Sequence, residues 1–91
     1  MITAIVFISA AVDRIGEVAE RIAAIRGVSE VYSVTGEIDL IAMVRVRSHE
    51  EIAAVVADKL NKVEGVLATE THVAFRAYSK HDLEAAFSIS D

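Results

Sequence analysis

Ninety-one residues with nine Lys plus Arg against fourteen Asp plus Glu give a net charge of −5, and the chain holds no cysteine. A chain this short builds one core, burying only about 60–65% of its unfolded surface, so help from a partner is expected. The missing thiols exclude disulfides, Cys-based zinc sites and thiol catalysis, and the acidic balance without a basic stripe argues against direct nucleic-acid binding.

Residues 2–8 (ITAIVFI) form a short apolar run rich in β-branched side chains and read as a first strand. Ile15, Val18, Ala19, Ile22 and Ile25 then recur at helical spacing across 13–26, with Gly27 placed to stop the helix in a left-handed cap. Gly16 is the one residue out of place there, costing about 1 kcal/mol against alanine inside a helix. A second strand is expected over about 29–35. Gly36 joins it by a hairpin to a third over 38–46 (IDLIAMVRV). Ser48 and Glu51 make an S-x-x-E capping box for a second helix whose apolar stripe is Ile52, Val55, Val56, Leu60 and Val63, ending before Gly65. A fourth strand follows over 66–76. In the tail, 79–91, Ser79 is a candidate N-cap for a short helix with Leu83, Ala86 and Phe87 as its apolar side.

Sliding residues 3–37 forward by 38 positions lays them on 41–75 with matching chemistry. Ala4 meets Ala42, Val6 meets Val44, Val18 meets Val56, Ala19 meets Ala57, Gly27 meets Gly65 and Val28 meets Val66. A repeat of this length is one supersecondary unit used twice. The order β-α-β, twice, predicts an α+β, ferredoxin-like βαββαβ sandwich: a four-stranded antiparallel sheet with two helices on one face. The domain is expected to span 1–78, with 79–91 as a C-terminal tail. No apolar run approaches the roughly 18 residues of a membrane span, and no signal-peptide pattern opens the chain, so a cytoplasmic protein with no membrane contact is expected.

Alternation along the strands divides the sheet. Ala4, Val6 and Ile8 share one face with Leu40, Ala42, Val44 and Val46, which suits the helix-covered side. The other face carries Ile5, Phe7, Ile41 and Met43, an apolar patch that predicts sheet-to-sheet homodimerisation. The alternative cover is the tail, folded across the sheet. Phosphate loops and the common hydrolase motifs are absent, so no catalytic residue, no metal ligand and no cofactor is assigned. His49, His72 and His81 form no metal-spaced pair. Glu37 and Asp39 flank the hairpin one residue apart and read by default as two solvated charges. Thr69, Glu70, Thr71 and His72 supply polar side chains in mid-strand, where a buried edge would carry apolar ones.

The stretch VYSVTGEIDLIAMVRV at 31–46, followed by KLNKVEGVLATETHVAF at 59–75, resembles the effector-binding (RAM) domain of the leucine-responsive Lrp/AsnC transcriptional regulators. Its hallmarks are a V-T-G-x-x-D hairpin leading into a strand ending V-R-V, and a later G-V-x-x-T-x-T segment. Val34, Thr35, Gly36, Asp39, Gly65, Val66, Thr69 and Thr71 match them. The resemblance implies dimers paired sheet to sheet, commonly gathered into octameric rings or related homo-oligomers. It also implies that amino acids or similar small metabolites bind in clefts between dimers. Carried over, one wall of such a cleft holds Val34, Thr35, Gly36, Glu37, Ile38 and Asp39, and the other holds Thr69, Thr71 and His72. Full members carry an N-terminal helix-turn-helix, whereas this sequence opens in its first strand, so an effector module lacking a DNA-binding domain is expected. The hairpin position that is usually aromatic is Ile38 here. The same dimeric α+β barrel architecture also hosts small monooxygenase-like and haem-degrading enzymes. A third reading is a pure interaction subunit for longer Lrp-like regulators.

Overall fold

The computed structural model describes residues 1–80. Six regular elements run in the expected order: β1 (Ile2–Ala10), α1 (Ile15–Ala23), β2 (Val28–Ser33), β3 (Leu40–Val46), α2 (His49–Val56) and β4 (Val66–Val73). The strands make one antiparallel sheet in the order β2-β3-β1-β4. Each repeat therefore places its second strand against the first strand of the other repeat, and neither copy closes a sheet by itself.

The core lies on one face. Ala4, Val6, Ile8 and Ala10 of β1 and Leu40, Ala42, Val44 and Val46 of β3 are buried with Val18, Ile22, Ile52, Val55, Val56 and Leu60. Burial of an aliphatic side chain of this size is worth roughly 1.5–3 kcal/mol, and here two interlocked stripes supply it.

Both helices are shorter than their apolar stripes. A 3₁₀ turn over Val12–Arg14 precedes α1, and another over Leu60–Lys62 follows α2, bringing Leu60 back into the core. Gly27 and Gly65 consequently stand in the turns that lead into β2 and β4, not at the helix caps; their φ angles are +104° and +102°. Their role is close packing across the repeats. A Cβ on Gly27 would lie 2.7 Å from Val55 Cγ2 in α2, and one on Gly65 would lie 2.6 Å from Val18 Cγ2 in α1. A Cβ on Gly16 would meet nothing within 4 Å, so no close approach explains that glycine.

The capping box forms in half. The Glu51 N–H donates to Ser48 Oγ at 3.3 Å, while Glu51 Oε2 accepts from the Arg47 N–H at 3.2 Å rather than from Ser48. The two edge strands each carry a bulge at equivalent positions: Ser29 is the extra residue between Val28 and Glu30, and Leu67 is the extra one between Val66 and Ala68. A bulge of this kind twists an edge and re-aims its side chains. No helix among the described residues is long and apolar enough to cross a membrane. The tail helix expected after Ser79, with His81, falls on 81–91, outside the described residues.

Candidate functional site

Gly36, at φ +113°, allows the hairpin between β2 and β3 to turn, and the Val34 N–H closes it on the Asp39 carbonyl at 3.0 Å. Within that turn the N–H groups of Thr35, Gly36, Glu37 and Ile38 make no hydrogen bond among the described residues. Such a run of free donors on an exposed loop suits an anionic group of a ligand.

Asp39 is built into the sheet. Its N–H donates to the Ile8 carbonyl at 2.9 Å, and its Oδ2 accepts from the Ala10 N–H at 2.8 Å. The side chain is half-buried. This corrects the default reading of a solvated hairpin charge: the carboxylate ties the end of β1 to the start of β3 and keeps one oxygen for another partner. Glu37, by contrast, is exposed with no partner among the described residues.

The last strand does not present its three candidate residues together. Thr69 is opposite Ile8 and Thr71 opposite Val6, so both lie on the helix side; His72 is opposite Ile5, on the open face. Thr69 Oγ1 donates to Asn61 Oδ1 at 2.7 Å. Thr71 borders an apolar groove of ≈ 260 Å³ with His49, Ile52 and Val56 of α2. The His72 ring packs at 5.0 Å from that of Phe7, and its Nε2 lies 3.1 Å from Glu70 Oε2. His49 is exposed on the first turn of α2. Among the described residues no group of three or more His, Cys, Asp or Glu is placed to hold a metal ion.

On the open face Ile5 pairs with Met43 and Phe7 with Ile41, and all four are half-buried. Tyr32 joins them opposite Ile41, 52% exposed, on the hairpin side of the bulge at Ser29. Glu30 and Arg45 border the patch as an ion pair at 2.8 Å, which holds the Glu30 carboxyl below the ordinary range; Ser29 Oγ assists. Leu67, 70% exposed at the second bulge, stands near the hairpin end of the sheet beside Thr69. Only its repeat relation to Ser29 signals it in the sequence.

The sequence model of the Lrp/AsnC ligand-binding domain matches residues 3–83. The chain belongs to the Lrp/AsnC family. The HTH-type transcriptional regulator PH1916 of Pyrococcus horikoshii is 52% identical over 59 residues, covering 65% of this chain and 39% of that protein. This Lrp/AsnC chain therefore spans about two fifths of the length of such curated relatives, 39% in that case. TTHA0845 of Thermus thermophilus superposes with a TM-score of 0.83 at 48% identity, over 88% of this chain and 100% of that one. A Neisseria meningitidis transcriptional regulator, NMB0573, solved with L-Met, shares the fold at a TM-score of 0.76 and 19% identity, over 86% of this chain and 52% of that one. Lrp/AsnC proteins are transcriptional regulators that bind small-molecule effectors and oligomerise.

Proposed function

We propose that this chain is an effector-binding and oligomerisation module acting in transcriptional or metabolic regulation, and that its effector is an α-amino acid. The observation behind this reading is the pairing of an anchored carboxylate, Asp39, with a hairpin whose four successive amides have no partner among the described residues. A zwitterion needs both: an acceptor for its ammonium and donors for its carboxylate. Glu37 is a second acceptor on the same hairpin. Since Thr69 and Thr71 face away from His72, a single protomer offers a ligand either the threonines or the histidine. A cleft using both walls takes one from each of two protomers. Ile5, Phe7, Ile41 and Met43, with Tyr32, are the face on which a second copy pairs, leaving the hairpin and the edge of β4 at the rim for contacts between dimers. The Neisseria regulator, solved as an L-Met complex, supports an amino acid as the class of effector.

The test is a thermal-shift screen of α-amino acids followed by calorimetry on Asp39→Asn. A charge-assisted hydrogen bond is worth about 1.5–3 kcal/mol, so the variant should bind the best hit roughly 10- to 150-fold more weakly. The amide oxygen still accepts from the Ala10 N–H, so folding and dimer mass by light scattering should be unchanged. Unaltered affinity would remove Asp39 from the site.

A further inference from the structure

At the end of the sheet away from the hairpin lies a second concavity, a groove of ≈ 480 Å³ between the outer side of α2 and the turn into β2. Its floor is Gly27, Val46, Ala54 and Val55, and its rim carries Arg26, Arg47 and Lys59. None of these three cations has an ion-pair partner among the described residues, although the chain is acidic overall. Glu51 is the one carboxylate on the rim, and its Oε2 is engaged by the Arg47 N–H. Arg45 also borders the groove but is neutralised by Glu30. Counting side chains alone, Arg26, Arg47 and Lys59 against Glu51 leave two net positive charges; Met1 also lines the groove.

The internal repeat shows how those charges came to be free. Arg26 stands where the second copy has Glu64, and Glu64 is paired at 2.9 Å with Arg14. The position equivalent to Arg14 is Ile52, which is buried. Arg14 lies over Gly65, with its Cδ 3.4 Å from where a Cβ would stand, so that end is filled. Around Gly27 no charged side chain takes the place of Arg14: Val55 and Val46 pack against the glycine, and the groove beside them is rimmed by unpaired cations.

We propose that this groove is a binding site for an organic phosphate, a small molecule with an apolar body and a dianionic head. Three cations from three separate segments exceed what a single carboxylate would neutralise, and guanidinium forks match phosphate oxygens in pairs. The volume lies within the range of about 300–1,000 Å³ found for small-molecule sites, and the apolar floor gives the ligand body a surface to cover. The site is separate from the effector hairpin: Val46 is opposite Ile2 and Leu40 opposite Ile8, so the length of β3, about 20 Å, divides them.

Heteronuclear NMR titration of the full chain with AMP, adenosine and inorganic phosphate tests this. AMP should move the amides of Arg26, Gly27, Arg47 and Lys59, and adenosine should bind at least about tenfold more weakly, as should phosphate alone. Arg47→Gln with Lys59→Gln should weaken AMP about tenfold or more, whereas Lys62→Gln, a change of charge outside the groove, should leave it unaltered. No shifts at these amides, equal affinity for AMP and phosphate, or an equal loss in Lys62→Gln would each overturn the proposal.

Discussion

Alanine substitutions at the glycines separate backbone strain from packing. Gly27 and Gly36 share a positive φ, +104° and +113°, which costs an alanine about 1–2 kcal/mol; at both sites the stiffer unfolded chain returns about 0.4–1 kcal/mol. Gly36 has open space around it, so Gly36→Ala should destabilise by no more than about 1–1.5 kcal/mol. At Gly27 the new methyl would stand 2.7 Å from Val55 Cγ2 and 3.3 Å from Val46 Cγ1. Relieving that overlap shifts a helix against the sheet and adds about 1–3 kcal/mol, giving Gly27→Ala a net cost of about 2–4 kcal/mol. Gly16→Ala is the internal control: it sits in α1 with nothing nearby and should stabilise by about 0.5–1 kcal/mol. Urea denaturation of the three variants at one protein concentration measures all of this, the fixed concentration removing any shift from oligomerisation. Equal losses for Gly27→Ala and Gly36→Ala would show that the contact between the repeats contributes nothing.

Phe7→Asp or Ile41→Asp places a charge in the centre of the open face and should turn an oligomer at micromolar concentration into monomer or aggregate; a wild-type monomer by light scattering would refute the pairing of faces. Ser48→Ala removes the acceptor for the Glu51 N–H at the start of α2 and should cost about 0.5–2 kcal/mol by denaturation. Because Arg45 lowers the pKa of Glu30, the folded state gains stability from that carboxylate at pH above its unfolded pKa and loses it as pH falls through the folded one. Arg45→Met should bring the Glu30 titration, followed by NMR, back up toward the ordinary carboxylate range, and an unmoved titration would deny the pair.

The chain order of the elements and the buried face of the sheet were legible because β-branched runs, helical stripes and the 38-residue offset all specify one arrangement. Helix ends were not. Gly27 and Gly65 look like caps in sequence, but what fixes them is a valine of the opposite repeat, a contact that local pattern does not contain. The bulges at Ser29 and Leu67 depend on the register of a neighbouring strand, which local pattern does not contain. Asp39 stood out in the sequence for its place in the hairpin, yet its partner Ala10 is 29 positions away, and only folding reveals that the carboxylate is held. For β4 the information was present: Thr69 and Thr71 differ in parity from His72, and alternation alone divides them between faces.

The two copies share a backbone plan and differ in charge, and that difference polarises the sheet along its strands. The hairpin end, the proposed effector site, presents Glu37 and Asp39 with amides that have no partner among the described residues. The opposite end presents Arg26, Arg47 and Lys59 over a glycine floor. In the second copy the residue matching Arg26 is Glu64, and Arg14 neutralises it. A symmetric module would have closed both grooves in that way. Stability alone gives no reason to leave cations unpaired, since an exposed ion pair adds only about 0–1 kcal/mol and an unpaired one forgoes no more. The residues that break the internal symmetry without contributing to the core are therefore where binding specificity is to be sought, and they gather at the two ends of β3.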